Sequence, residues 1–109
     1  MENISFNDFK KLELKVGEIK TVEDIEGADK IYQLMVDIGE ERKLVAGIKP
    51  WYSKEELVGK KVAVVANLEP KTIRGVESHG MVLAASTADR SALTVLTLDK
   101  DLPNGSNIS

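Results

Sequence analysis

The side chains of this sequence best suited to chemistry lie close together, within the fourteen-residue segment 67–80. The segment offers two cations for phosphate, an amide and a hydroxyl for hydrogen bonds, and one planar ring for stacking: Lys71, Arg74, Asn67, Ser78 and His79. Cations that hold a backbone, next to flat or amide groups that address unpaired bases, suit single-stranded or looped RNA. The alternative is a solvated loop that is stabilised by its own turns, with Asn67 as its cap. The residue types are compatible with both interpretations.

The same residues do not form a catalytic site. His79 is the only histidine and the chain has no cysteine, which excludes a histidine-rich metal site and a thiolate nucleophile. A Ser-His-Asp triad would need Ser78 as its nucleophile, but adjacent residues of an extended segment point to opposite faces. The glycines match neither the P-loop nor the dinucleotide fingerprint. We therefore expect a protein that is not an enzyme and that needs no cofactor or metal.

Two further candidates lie outside this segment. Lys30 ends a polar loop, where it could reach a phosphate or belong to a turn held by Asp29. Trp51 and Tyr52 could stack on bases, but aromatic residues ahead of a short helix more often fill the end of a barrel or pack at an interface. We expect both aromatic residues to belong to the core.

The elements that position these residues are short strands, because apolar and polar residues alternate between glycines and prolines. The first strand alternates from Leu12, and a slip in its inward parity beside Gly17 predicts a β-bulge there. Ser53 and Glu56 form a capping box for one short helix. Asn7 is predicted to cap an earlier helical turn. The other five strands are predicted over residues 32–38, 42–48, 62–66, 81–85 and 93–98.

Three strands, a short helix and two more strands are the order of the OB-fold. We therefore predict an all-β, five-stranded Greek-key barrel with a short helix between strands 3 and 4, plus amino- and carboxy-terminal additions. Residues 1–109 are expected to form one domain, since 12.0 kDa leaves no room for a second core. In the OB-fold, ligands meet strands 2 and 3 and the loops between strands 1 and 2 and between strands 4 and 5. Segment 67–80 is the second of these loops.

The charge distribution argues against a generally basic nucleic-acid coat. The chain carries a formal net charge of −3, with −4 on residues 1–59 and +1 on residues 60–109. The excess of basic over acidic residues lies between Lys60 and Gly80.

No apolar run is long enough to cross a bilayer, the amino terminus lacks the features of a signal peptide, and cysteine is absent. We expect a cytoplasmic protein with no membrane partner.

Six segments of the chain, in their order and spacing, resemble the tRNA-binding domain family. They are Val16-Gly17-Glu18-Ile19, Ala28-Asp29-Lys30, Val45-Ala46-Gly47-Ile48, Glu56-Leu57-Val58-Gly59-Lys60, Val65-Ala66-Asn67-Leu68-Glu69-Pro70 and Gly75-Val76-Glu77-Ser78-His79-Gly80-Met81. The family includes the carboxy-terminal domain of methionyl-tRNA synthetase, its beta-subunit-like relatives and the domain of endothelial monocyte-activating polypeptide II. The resemblance implies an OB-fold homodimer that binds tRNA by its shape with little sequence specificity. Such a module works free or as an auxiliary of methionyl-tRNA synthetase in aminoacylation and protein biosynthesis.

The resemblance also implies which residues bind tRNA. Asn67, Ser78 and Met81 fall on motif positions of the family, and nearby cations are expected to contact phosphates: Lys30, Arg42, Lys71 and Arg74. The chain departs from the family at two positions, since Ala46 stands where many relatives have serine and His79 where glutamine or glutamate is common. Together with the acidic balance, this predicts modest, strongly salt-dependent binding.

A second interpretation is a homodimeric, chaperone-like protein-interaction module of the same fold, which resembles a secretion-associated chaperone branch in its first half. The full motif of segment 67–80 favours RNA, whereas a peptide binder would expose an apolar groove. Dimerisation is predicted in both interpretations, because the terminal additions offer apolar surface at Phe6, Phe9 and Leu96 or Leu98.

Overall fold

A computed structural model describes all 109 residues of the protein. It contains two short helices and ten strands: α1 (Phe6–Phe9), β1 (Leu14–Asp24), β2 (Tyr32–Asp37), β3 (Glu41–Ala46), α2 (Lys54–Leu57), β4 (Lys61–Val65), β5 (Lys71–Ile73), β6 (Val76–Ser78), β7 (Met81–Val82), β8 (Ala84–Ser86), β9 (Leu93–Val95) and β10 (Asn107–Ile108). Neither helix has the length or apolar character needed to cross a bilayer.

Five strands form a nearly closed antiparallel barrel in the order β3-β2-β1-β4-β7. Strand β1 is long enough to serve two neighbours, because its first half pairs with β4 and its second half with β2. Helix α2 lies between β3 and β4 in the chain. The predicted OB-fold barrel is therefore confirmed. The two hairpins β5–β6 and β8–β9 lie off this sheet, and β10 adds a short pairing to the start of β1.

The first strand departs from the sequence prediction at its bulge. The register with β2 shifts between Ile19 and Thr21, so the bulge lies three residues after Gly17 rather than beside it. Gly17 lacks a side chain for a different reason. A Cβ there would lie 2.6 Å from Cγ1 of Val36, so the glycine allows β1 and β2 to pack closely across the core.

The barrel interior holds one apolar cluster, built from the inward residues of β1 to β4 together with Leu57 of α2 and Val95 of β9. Strand β4 is buried on both faces, as its continuous apolar sequence predicts, since all four residues from Val62 to Val65 are buried. The carboxy-terminal addition is hydrogen-bonded to the first half of β1. The Gly105 N–H donates to the Val16 carbonyl at 2.8 Å, and the Val16 N–H donates to Ser106 at 2.9 Å.

The predicted cap of α2 is confirmed, and the predicted cap of α1 is wrong. Ser53 accepts from the Glu56 N–H and the Glu56 side chain accepts from the Ser53 N–H, so the capping box is confirmed. Helix α1 begins earlier than expected, because the Ser5 hydroxyl accepts from the Asp8 N–H at 3.0 Å. Asn7 lies inside the helix and is not the cap. Serine and asparagine are comparable N-caps, so residue type alone did not separate the two positions.

The later strands are shorter than the apolar pattern suggests. The predicted fifth strand is interrupted at Leu83, where the chain leaves the barrel sheet and β8 pairs with β9 instead. Strand β3 ends at Ala46 and β9 at Val95, before the apolar residues that follow each of them. Ile48, after β3, is buried in the core, whereas Leu96, after β9, is 41% exposed. The backbone of Leu96 still bonds to its neighbours, because its N–H donates to the Leu83 carbonyl at 3.1 Å and its carbonyl accepts from the Ala63 N–H at 3.2 Å.

Candidate nucleic-acid interface

Segment 67–80 is a hairpin and not an irregular loop. Strands β5 and β6 pair from Lys71 opposite Ser78 to Ile73 opposite Val76. The two residues that join them, Arg74 and Gly75, both have positive φ, at 52° and 80°. This is the backbone of a two-residue type I′ turn, which glycine adopts freely and arginine does not. The turn carries the exposed Arg74 side chain at the tip of the hairpin.

Ser78 and His79 attach this hairpin to the barrel. The Ser78 hydroxyl accepts from the Val45 N–H at 3.0 Å and donates to the Gly80 carbonyl at 3.2 Å. The His79 N–H donates to the Lys43 carbonyl at 2.8 Å. These bonds connect β3 with the end of β6, where the barrel sheet has no ladder. Ser78 is only 5% exposed, so its hydroxyl is committed to the protein.

Arg42 holds both ends of the hairpin segment. Its Nη1 donates to the Ala66 carbonyl at 2.7 Å and to the His79 carbonyl at 3.1 Å, and these two residues flank segment 67–78. Its Nε pairs with Glu40 at 2.8 Å. The guanidinium thus satisfies two carbonyls at the base of the hairpin, and part of its charge is neutralised.

Asn67 links the start of the segment to the amino-terminal addition. Its Oδ1 accepts from the Glu13 N–H at 2.8 Å, and its Nδ2 donates to the Lys11 carbonyl at 2.6 Å. Both polar atoms of the amide therefore have partners within the chain. These contacts agree with the alternative in which Asn67 caps the start of the segment. The groups that it bonds, however, lie more than fifty residues away in sequence.

The other predicted site residues in and beside the hairpin have side chains that reach solvent. Lys71 and Arg74 are exposed and form no ion pair. The His79 ring is partly exposed, and its Nε2 lies 2.7 Å from Oε1 of Glu77. Met81 follows on β7, with 45% of its surface exposed. Among the predicted site residues in and beside the hairpin, these four have side chains that can meet a ligand directly.

A groove of about 730 Å³ runs beside the hairpin. It lies between the outward face of β3, the hairpin β5–β6, strand β7 and the hairpin β8–β9. Ser78 and Met81 line it, as does Lys71. This volume is within the range of about 300–1,000 Å³ that is typical of ligand sites. The groove includes β3 and segment 67–80, which are two of the elements with which OB-folds meet their ligands, but no residue of β2 lines it.

Lys30 lies apart from the hairpin residues. It is exposed, forms no ion pair, and does not line the groove. Two other cations near that end of the barrel are neutralised, because Asp24 pairs with Lys49 at 2.9 Å and with Lys54 at 2.7 Å. The hydrogen bond from Lys54, followed by that from Lys49, lowers the pKa of Asp24. Lys30 is thus an isolated cation.

The aromatic pair ahead of α2 has a structural setting. Tyr52 packs against the core, and its hydroxyl donates to Oγ1 of Thr94 at 3.2 Å and accepts from the Val95 N–H at 3.1 Å. Trp51 is partly exposed, with the Arg90 guanidinium 5.7 Å above its ring. The expectation that both aromatic residues belong to the core is confirmed for Tyr52. Trp51 lies at the surface instead, where its ring contacts the Arg90 guanidinium.

Two further cations lie on this face and are not among the predicted site residues. Lys43 lies on the same outward face of β3 as Val45, which lines the groove, and alternation along the strand would have indicated it. Arg90 lines the groove from the β8–β9 turn, with φ at 58°. The neighbouring Asp89 accepts bonds from Ser91 and Thr87, which lower its pKa to about 2 and fix the turn. No sequence signal indicated that this turn reaches the groove.

No group of three or more His, Asp or Glu side chains is arranged to hold a metal ion.

Comparison with known proteins gives one consistent family. The sequence matches the model of the family described as "Putative tRNA binding domain" over residues 14–107. The chain is 51% identical over 109 residues to the methionine–tRNA ligase of Thermococcus kodakarensis, and 52% identical over 105 residues to that of Methanothrix thermoacetophila. These alignments cover 99% and 96% of the chain but only 14% and 15% of the ligases, so the chain spans about a seventh of their length.

Two solved structures match the whole barrel. The MetRS related protein from Pyrococcus horikoshii superposes with a TM-score of 0.94 and 39% identity, over 100% of both chains. The CsaA chaperone protein from Picrophilus torridus superposes with a TM-score of 0.87 and 36% identity, over 98% of this chain and 100% of the other. One fold thus accommodates relatives of both names.

Proposed function

The chain belongs to the tRNA-binding domain family, and from that premise we propose that it is a non-catalytic module that binds tRNA through the β5–β6 hairpin and the adjoining groove. It recognises the folded RNA with little sequence specificity, either free or as an auxiliary of methionyl-tRNA synthetase. We expect it to act in the cytoplasm, where tRNA is aminoacylated.

The observation that carries this proposal is the isolation of charge on the hairpin. The chain is acidic overall, yet Lys71 and Arg74 project from the hairpin without carboxylate partners. Arg74 also occupies a left-handed backbone position that arginine disfavours, and such positions cluster at functional sites. Phosphates are the ligands that exposed, unpaired cations of this kind attract.

The proposed site residues act in two ways. Lys71 and Arg74 contact phosphates, Lys30 contacts a more distant phosphate, and His79 and Met81 meet nucleotides beside the hairpin. Three others contribute by positioning, because their polar groups already bond within the chain: Arg42, Asn67 and Ser78. They hold the hairpin at its base, so that its cations face a common ligand.

A second copy of the chain is proposed to cover the amino-terminal addition. Helix α1 has no buried residue, and Phe6 is 71% exposed with its ring stacked near that of Phe9. Leu12 and Leu96 are also exposed apolar residues. A homodimer that buries these residues would present two RNA-binding faces. Light scattering at micromolar concentration measures its mass, and a monomer would contradict the proposal.

The experiment that tests RNA binding is a mobility-shift titration of a folded tRNA and of an unstructured RNA of equal length. Both titrations are run at low and at near-physiological salt. We expect preference for the folded tRNA to survive the increase in salt, because shape recognition requires contacts beyond counterion release. Equal, salt-abolished binding to both RNAs, or no binding, would contradict it.

A chaperone-like protein-interaction module is the second candidate function, and the similarity to the CsaA chaperone favours it. The groove beside the hairpin has apolar lining residues of the kind that a peptide binder exposes. Unfolded polypeptide is then the ligand instead of tRNA. The test is whether the chain suppresses the aggregation of a denatured test protein. Suppression at chain concentrations that are too low for tRNA binding would support this function over the first.

A further inference from the structure

The groove beside the hairpin combines an apolar floor with a charged rim. Its apolar lining comes from several elements: Val45, Ile48, Leu68, Ile73, Met81 and Leu93. Leu68 is 43% exposed, close to the exposure of Met81, while the inward apolar residues of the barrel are buried. The two exposed residues flank the hairpin, one before β5 and the other after β6. The floor therefore offers solvent-accessible aliphatic surface to a flat apolar group.

The rim carries one cation from each neighbouring hairpin. Lys71 stands on β5, and Arg90 stands on the turn between β8 and β9. Neither forms an ion pair, and Glu69 is the single acidic residue among those that line the groove. Two contacts hold Arg90 in place: its guanidinium lies over the Trp51 ring, and its backbone N–H donates to the Thr87 carbonyl at 2.9 Å. An occupant that complements this rim is anionic.

We infer that the groove receives unpaired nucleotides of the bound RNA, with their bases on the aliphatic floor and their phosphates at Lys71 and Arg90. The inference rests on the proposed function and names the part of the RNA that enters the site. A nucleotide joins one flat, weakly polar face to one negative charge, which is the combination that the floor and rim complement. Paired bases are excluded, because their faces are stacked within the helix. An aliphatic floor contacts every base alike, which agrees with low sequence specificity.

The methionine methyl groups provide a direct test. The chain has only three methionines, Met1, Met35 and Met81, and only Met81 lines the groove. The full chain is labelled at these methyls, and folded tRNA is added while the NMR spectrum is recorded. We expect the Met81 methyl signal to move upfield, because a base stacked on it contributes a ring-current shift that phosphate contacts do not produce. The Met1 signal is expected to stay in place.

Three outcomes overturn the inference, and they are distinguishable. Binding of tRNA with an unmoved Met81 signal overturns the groove assignment, including the contact of Met81 with nucleotides, and leaves tRNA binding through the cations of the hairpin standing. Absence of tRNA binding overturns both. A Met81 signal that moves with an acidic, apolar peptide and not with tRNA assigns the groove to a protein partner.

Substitutions give an independent measurement. Met81→Gln keeps the length of the side chain and removes its apolar surface, and we expect it to weaken tRNA binding about fivefold to tenfold with no change in salt dependence. Lys71→Gln is expected to weaken binding and to lower the salt slope by about 1. Leu102→Gln is the matched control, since Leu102 is 50% exposed and does not line the groove. Equal affinities of the Met81→Gln and Leu102→Gln variants, with both folded by circular dichroism, would contradict the inference.

Discussion

The hydroxyl of Ser78 accepts a hydrogen bond from the N–H of Val45 at 3.0 Å. Between β3 and the end of β6, a side-chain hydroxyl is thus the acceptor that a backbone carbonyl is in the strand ladders of the barrel. The same hydroxyl donates to the Gly80 carbonyl, which ties β3 to the chain that leads into β7. The predicted RNA-binding serine is therefore a component of barrel closure. Its substitution is expected to act on stability as well as on binding.

Ser78→Ala should lower the free energy of unfolding by about 1–3 kcal/mol, because it leaves the partly buried Val45 N–H without an acceptor. Urea denaturation measures the change. Ser86→Ala is the control, since Ser86 is exposed and its hydroxyl makes no hydrogen bond within the chain. Equal stability of the two variants would contradict the structural role of Ser78.

Arg74→Asn should weaken tRNA binding and lower the salt slope by about 1 without destabilising the protein. Asparagine tolerates the left-handed turn position better than arginine, so the backbone retains its conformation while the charge is removed. Lys100→Gln removes one exposed charge away from the groove and serves as the control. A salt slope equal to that of the parent would remove Arg74 from the phosphate contacts.

Asn67→Ala should accelerate hydrogen exchange at the Glu13 amide and lower the free energy of unfolding by about 1 kcal/mol, since that N–H loses its acceptor. Asn67→Asp keeps the acceptor but sets an oxygen against the Lys11 carbonyl, so it should destabilise the protein while retaining protection of Glu13. Asn7→Ala should change neither quantity. Unaltered exchange in the Asn67→Ala variant would show that the link does not hold in solution.

Gly17→Ala should lower the free energy of unfolding by about 1–3 kcal/mol, because the new methyl would approach Val36, Ile38 and Val64 within 3.0 Å or less. Thermal and urea denaturation both report the loss. Gly47→Ala is the matched control, as the nearest atom to its Cβ lies 4.0 Å away. Equal melting of the two variants would disprove the close approach of β1 and β2.

Asp89 should titrate with a pKa of about 2, against an ordinary value of 3.8, because the Ser91 N–H, followed by the Ser91 and Thr87 hydroxyls, bonds to its carboxylate. A carboxyl whose pKa is depressed by folding contributes stability that is full above the unfolded value and is lost as pH falls toward the folded one. Stability should therefore fall between about pH 4 and pH 2, less steeply in Asp89→Asn than in the parent. A carboxyl NMR titration with a midpoint near 3.8 would contradict this assignment.

Local sequence patterns predicted most of the barrel. Alternation fixed β2 and β3, and the Ser53–Glu56 capping box located α2, because these signals depend on neighbours a few residues apart. The hairpin within segment 67–80 was missed, since its strands have three residues each and its turn is Arg-Gly in place of the usual Asn-Gly.

The sequence indicated which types of residue form the site, but not which groups those residues contact. Ser78 and Asn67 are both hydrogen-bonding residues, as expected, but their partners at Val45 and Glu13 lie 33 and 54 residues away. No short-range pattern reports such pairs. Arg90 was missed for a related reason, because only the fold of the β8–β9 turn brings it to the groove.

The pairing of β10 with β1 has a consequence for the order in which the barrel is made. Leu14 and Lys15, at the start of the central strand, pair with Ile108 and Asn107. Contacts between such distant parts of a chain are costly in loop-closure entropy and form late in folding. During synthesis on the ribosome, β1 emerges before residues 107 and 108, and its edge is incomplete until they follow. Until then the start of β1 is an open edge that a neighbouring nascent chain can occupy.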